Sequence, residues 1–209
     1  MHTVVYIDAF NLYHGRLEDT PYRWLDIVAF ARAIAPPKNT VEHVHLFSGE
    51  VTKSPPNDPF RHVRQATYFR ALSTLPDLSL HKTRFVTHIK TRRLVTPLPD
   101  GTTHVQVYIT EEKEADVLLG AHLVADAFRN QYEAAIVVTN DSDLRGPVEL
   151  VRRYTGKPVG VSNPFGGTYP DMIVGQFRCR PITPSLLGRC QLPAKGIDAA
   201  GSFGKPASW

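Results

Sequence analysis

Cysteine is scarce in this chain. Cys179 and Cys190 are the only two, with no CxxC pair and no clustered partners. So few thiols support neither a disulfide framework nor a structural zinc, and they fit a reducing compartment. Long apolar runs are missing too: no stretch approaches 18 uninterrupted apolar residues, so neither a membrane-spanning helix nor a membrane partner is expected. The start, Met1-His2-Thr3, runs straight into an apolar strand with no basic region and no small-residue cleavage site, which argues against a signal peptide and for a cytoplasmic location. Internal repeats and a recognisable linker are also lacking. The 209 residues, 42% hydrophobic and 21% charged, therefore read as one well-packed domain over residues 1–192. From Leu192 onward Pro, Gly, Ala and Ser dominate, so residues 193–209 are expected to form a loose tail ending at Trp209.

A local absence is more informative. Between Leu78 and Pro99 there is no acidic residue, while Lys82, Arg84, Lys90, Arg92 and Arg93 supply five positive charges, with His81 and His88 among them. The overall formal charge is only +4, so this placement matters more than the total. Residues 78–99 look like two strands. Pro99-Asp100-Gly101 marks a turn, and Val105, Val107 and Ile109 then alternate with His104, Gln106 and Tyr108. This pattern predicts a basic β-hairpin inserted at about 84–110, either reaching toward an anionic polymer or forming a solvated face that binds nothing.

What is abundant is β-branched sequence ending in acid. Ala134 to Val138 runs without a break into Thr139-Asn140-Asp141-Ser142-Asp143-Leu144. Such a run reads as a strand buried on both faces in a parallel sheet, and its carboxyl end is where open α/β sheets place a ligand crevice. Thr3 to Ile7 repeats the device and delivers Asp8, followed by Asn11. A helix cap is the bland explanation for Asp8, Asp141 or Ser142 taken singly, but capping has no need of two acids in one turn. Helices are expected at Trp24–Ala35, Pro59–Leu75, Glu111–Asn130, Leu144–Tyr154 and Asp171–Gln176. Strands are expected at Val41–Val51, Gly156–Val161 and Arg178–Thr183. The 111–130 helix is apolar nearly all round, with Glu111, Glu112, Glu114 and Asp116 crowding its start, where the helix dipole favours them. Asp126 lies about three turns beyond Asp116 and is expected to face solvent.

Strands alternating with helices argue for right-handed βαβ units in three layers, an α/β/α sandwich around a mainly parallel sheet. In such a sheet Asp8, Asp141 and Asp143 leave neighbouring strands at one edge, and the helix start can bring Asp116 beside them. Four carboxylates in a small volume repel one another unless hard cations such as Mg²⁺ or Mn²⁺ neutralise them, and paired ions suit phosphodiester cleavage. Asn11, Thr139 and Ser142 are placed to orient a phosphate or a water.

These residues resemble a known family. Ile7–Tyr13 (IDAFNLY), Glu111–Gly120 (EEKEADVLLG) and Val137–Leu144 (VVTNDSDL) are similar to the three acidic motifs of NYN-domain proteins, within the PIN-like nuclease superfamily. WLDIVAFARAI, the Arg-rich helix after the Pro-rich loop, LVADAF at Leu123–Phe128 and RCQLP near the end extend the likeness to one bacterial branch, over roughly Met1 to Ala194. The resemblance implies a PIN-like sandwich and metal-dependent ribonuclease activity, with Asp8, Asp116, Asp141 and Asp143 as metal ligands and Asn11 accessory. It departs in two places: Ala9 stands where the family favours glycine, and Thr139-Asn140 where it favours serine-glycine.

The leading expectation is thus an endoribonuclease using Mg²⁺ or Mn²⁺ and no organic cofactor, with Lys82, Arg84, Lys90, Arg92 and Arg93 docking RNA. A non-catalytic RNA-binding or regulatory module with the same fold is the alternative. A phosphatase using Asp8 as nucleophile would want a second aspartate two residues on, where Phe10 stands. Self-association is left open.

Overall fold

The computed structural model describes residues 1–52, 54, 58–167 and 175–209. Its centre is a six-stranded sheet in the order β4-β3-β2-β1-β5-β6. The strands are β1 (His2–Asp8), β2 (Thr40–Glu50), β3 (Leu78–Arg93), β4 (His104–Lys113), β5 (Ala134–Val138) and β6 (Val159–Ser162). All neighbours pair in parallel except β3 with β4. The helices are α1 (Ala9–Leu12), continued by a π-helical turn over Tyr13–Leu17, α2 (Ile27–Ile34), α3 (Arg61–Leu72), α4 (Ala115–Phe128), α5 (Arg145–Thr155) and α6 (Pro184–Arg189).

Alternation along the strands splits the core in two. Val5, Ile7, Val44, Leu46, Ile136 and Val138 face α2, α3 and α6 on one side. Val4, Tyr6, Phe47, Ala135 and Val137 face α4 and α5 on the other. The continuous apolar run of β5, every residue buried, is the sequence mark of a strand covered on both faces. Local chemistry sets the helix ends. The Asp26 carboxylate accepts from the Ala29 amide at 2.8 Å and starts α2, which ends at Ile34, with Ala35 already extended ahead of Pro36-Pro37.

Sheet order places the crevice. The chain runs outward from β1 through β2 to β3 and β4, then returns to the opposite side of β1 with β5 and β6. The direction of winding therefore reverses between β1 and β5, and their carboxyl ends form a topological switch point.

Several expectations are corrected. Residues 78–93 are one 16-residue strand, not two. Only its first part, Leu78 to Arg84, pairs with β2, and from Phe85 on it pairs with β4 alone. The ribbon thus leaves the sheet at the carboxyl end of β2. The helix expected from Glu111 begins at Ala115, because Glu111 and Glu112 continue β4. Glu114 turns the chain between them in the left-handed region, at φ 80°. The strand expected at Arg178–Thr183 is reduced to one bridge, Val161 with Arg178, and α6 follows it.

Nor is the tail loose. Lys195–Asp198 and Gly201–Gly204 form an antiparallel hairpin, β7 and β8. The Arg70 guanidinium grips both Asp198 carboxylate oxygens at 2.5 and 2.6 Å, so Arg70 is not a free cation on α3. Trp209 packs edge-on against Trp24 and Tyr68. Most of the Pro-rich loop at 53–58 and of the helix expected over Asp171–Gln176 lies outside the described residues.

Candidate functional site

Asp8 ends β1 and is 3% exposed. Its carboxylate accepts from the Asn11 amide at 2.9 Å, so it does cap α1, and also from the Asn11 side chain at 2.5 Å. The Thr139 hydroxyl, at the end of β5, donates to the same Asp8 oxygen as the Asn11 side chain at 3.2 Å and accepts from the Asp141 amide at 3.0 Å. Asn11 Oδ1 accepts from the Asn140 amide at 3.1 Å. The two strand ends are thus tied together by Asn11 and Thr139, with Asn140 contributing only its backbone. Asp141 caps the short 3₁₀ turn Ser142–Leu144, accepting from the Asp143 amide at 2.9 Å. Ser142 and Asp143 are exposed at the mouth.

Asp116, in the first turn of α4, reaches the same region from above. Burial first, and then the charges of Asp8, Asp141 and Asp143, raise its carboxyl to about 6. Burial likewise raises Asp8, against the hydrogen bonds from Asn11 and Thr139 that lower it. The structure therefore brings Asp8, Asp116, Asp141 and Asp143 within electrostatic reach of one another.

Glu112 belongs with them and was not foreseen. Burial raises its carboxyl, and Asp8 and Asp116 add to that, while Thr83 donates to it at 2.8 Å. Gly49 permits this arrangement: a Cβ there would lie 2.6 Å from the Phe85 ring and 3.1 Å from the Glu112 carboxylate. A five-acid edge of this kind has the hard oxygen donors that suit Mg²⁺ or Mn²⁺. The acids are not drawn tightly together, however. Among the described residues, one set of three or more His, Cys, Asp or Glu has ligand atoms all within 4.8 Å, and it is not acidic: His45, His81 and His122.

Those histidines were missed, apart from a note of His81 as part of the basic stretch. His43-Val44-His45 alternates in β2, which hints at two rings on one face, but His81 and His122 reach them only through the tertiary fold. Asp126 is also corrected: it points inward. The Tyr6 hydroxyl donates to its Oδ2 at 2.8 Å, and His45 Nε2 lies 3.7 Å from the same atom.

The basic arm is less basic than its sequence. Lys82 pairs with Glu50 at 2.9 Å, Arg84 with Glu114 at 3.0 Å and Lys90 with Glu111 at 3.0 Å. Arg92 and Arg93 are exposed and make no ion pair among the described residues.

Beside the acids opens a cavity of about 460 Å³. Phe10, Tyr13, Tyr68, Phe85 and Trp209 supply aromatic walls, Glu112 borders it on the acidic side, and Arg61 and Arg64 stand at its rim. Arg64 pairs with Asp58.

No family model matches the chain. Over 236 aligned positions it is 27% identical to a 6-hydroxy-3-succinoylpyridine 3-monooxygenase of Pseudomonas putida, across all of this chain and 75% of that protein. A Vibrio parahaemolyticus protein of unknown function, known from its crystal structure, superposes with a TM-score of 0.44 and 15% identity, covering 83% of this chain and 96% of that one. No helix among the described residues is long and apolar enough to cross a membrane.

Proposed function

We propose that this protein is a divalent-metal-dependent endoribonuclease with a PIN-like sandwich, resembling NYN-domain proteins. The observation that carries this reading is the convergence of Asp8, Asp116, Asp141 and Asp143 at the β1/β5 switch point, expressed in the raised carboxyl of Asp116. Burial of Asp116 first, and then repulsion from the other three acids, costs stability, and a protein that retains such a group has a use for the charge. Asp8, Asp116, Asp141 and Asp143 would hold Mg²⁺ or Mn²⁺, which when bound supplies an acidified water and neutralises charge on phosphate oxygens.

The protein's own groups set the geometry. Asn11 and Thr139 fix the Asp8 carboxylate through three hydrogen bonds, so that it presents a defined edge to the crevice. Ser142, exposed beside Asp143, is free to donate to a phosphate oxygen. The ribbon of β3 and β4 stands at the same edge, and Arg92 and Arg93 offer phosphate contacts. Phe10, 46% exposed beside the crevice, and Tyr108, 79% exposed on the ribbon, offer faces on which unpaired bases stack, which favours single-stranded over duplex RNA.

The test uses purified protein with a mixed structured and single-stranded RNA substrate, in Mn²⁺ or in chelator. Metal-dependent cleavage that Asp8→Asn and Asp143→Asn each abolish, with RNA binding retained, is the expected result. A protein that binds RNA but cuts it under no divalent ion is instead the non-catalytic module.

A second reading rests on the aromatic cavity and on the named activity of the Pseudomonas relative. A space of about 460 Å³ with aromatic walls fits a small aromatic molecule, and Arg61 at its rim offers a contact to a carboxylate, since Arg64 is paired with Asp58. Saturable binding of a pyridine carboxylate, with no RNA cleavage, would favour it.

A further inference from the structure

Strands β2 and β3 run side by side beneath α4. Alternation puts His43 and His45 on the α4 side of β2, and register pairs His81 of β3 with Phe47, on that same side. On α4, His122 lies six residues past Asp116, about 9 Å farther along the axis, and Asp126 is one turn beyond it. His122 faces down onto the strands: its ring centroid is 4.4 Å from that of His81 and 5.3 Å from that of His45.

Two explanations compete for this trio. One is an aromatic stack, and there is stacking at its edges: Phe47 lies on His81 at 4.5 Å and 10°, and Tyr6 on His45 at 5.2 Å and 13°. Stacking uses ring faces, however, and says nothing about ring edges. Here the edges converge. His45 Nδ1 and His81 Nε2 are 2.9 Å apart, and one ring nitrogen from each of the three histidines falls within a 4.8 Å group.

We propose that His45, His81 and His122 form a nitrogen-donor site for a divalent transition metal of the zinc class, with Asp126 orienting His45 from behind. Tetrahedral zinc at about 2.0–2.1 Å from each imidazole needs its nitrogens roughly 3.3 Å apart. The trio brackets that spacing, with one pair of nitrogens 2.9 Å apart and all three within 4.8 Å. With Nδ1 of His45 directed at the metal, its other nitrogen faces the Asp126 carboxylate, which is itself held by the Tyr6 hydroxyl. A carboxylate behind a ligating histidine is the usual outer support of such a site. Water takes the fourth position, since all three histidines are only half-buried. Three imidazoles select zinc-like ions and not Mg²⁺. The site is therefore distinct in chemistry from the acidic crevice, although α4 runs between the two. Scarce cysteine spoke against a structural zinc, and a three-histidine site differs from that expectation because it needs no thiolate.

Cobalt makes the test specific, because four-coordinate, nitrogen-bound Co²⁺ gives intense visible bands that octahedral, oxygen-bound Co²⁺ lacks. Chelator-stripped full-length protein is titrated with Co²⁺. The expected result is an intense band saturating at one equivalent, bleached by one equivalent of Zn²⁺ and untouched by excess Mg²⁺. Asp8→Asn should keep the band, and His81→Gln with His122→Gln should lose it. Asp126→Asn should bind 10- to 100-fold more weakly. If the double variant does not fold, His122→Ala alone is read the same way. An absent band in the wild type, a band undiminished by the histidine changes, or one lost in Asp8→Asn would each overturn the proposal.

Discussion

Asp116→Asn offers a direct measure of how strained the acidic crevice is without metal. In the folded protein the Asp116 carboxyl is raised to about 6, while its ordinary value is 3.8. A raised carboxyl binds its proton more tightly folded than unfolded. The native state is therefore penalised as pH rises: the penalty is absent below about 3.8, builds between 3.8 and 6, and is complete above 6. A gap of about two pH units corresponds to roughly 3 kcal/mol at 1.36 kcal/mol per unit. Asp116 is only half-buried, so solvent screening reduces this to about 1–2 kcal/mol. Asparagine removes the charge and keeps the shape. In metal-free buffer at pH 8 the variant should melt about 2–8 °C above the wild type, at about 2–4 °C per kcal/mol for a chain of this size. Near pH 5 the difference should fall by about half. Millimolar Mn²⁺ should raise the wild type and leave the variant nearly unmoved. Differential scanning fluorimetry over a pH series with chelator, then with metal, is sufficient. A variant less stable than wild type at pH 8, or an advantage independent of pH, would refute the argument and mean that neighbouring cations already neutralise the acids.

Two further outcomes follow from the ribbon and the carboxyl terminus. Replacing Lys90, Arg92 and Arg93 by alanine should weaken RNA binding and reduce its salt slope by about 2, not 3, because Lys90 already pairs with Glu111; equal slopes in a filter-binding series would show a solvated face. Trp209→Ala should cost about 1–3 kcal/mol in urea unfolding, since the indole packs on Trp24 and Tyr68, whereas a loose tail predicts a change within about 0.5 kcal/mol.

What the sequence made visible was mostly local. A β-branched run ending in Asp declares both a buried strand and an acid at its end, so Asp8 and Asp141 could be placed without knowing their neighbours. Glu112 was hidden because Glu-Glu-Lys-Glu before an apolar helix fits a dipole-stabilised first turn. The chain spends Glu111 and Glu112 on the strand instead, and makes the turn at Glu114. The arm looked bare because its acidic partners, Glu50, Glu111 and Glu114, lie outside the stretch that lacks acids. Pro- and Gly-rich composition at the carboxyl terminus concealed a hairpin whose anchor, Arg70, lies more than a hundred residues away. The histidine trio draws on β2, β3 and α4, and no single window of sequence contains it.

The bond from Thr139 to Asp8 spans 131 positions of chain. Asp8 is made first, Glu112 and Asp116 about a hundred residues later, and Asp141 and Asp143 later still. Until β5 docks against β1, Asp8 ends a strand with no partner on that side, and Asp141 and Asp143 have nothing to oppose. Closing so long a loop is slow and is not rewarded until the last strands pair. The crevice thus reports on that docking: a chain in which β5 has not paired with β1 assembles no site, even when every acid is present. Whatever chemistry resides there waits on the pairing of two strands far apart in the chain.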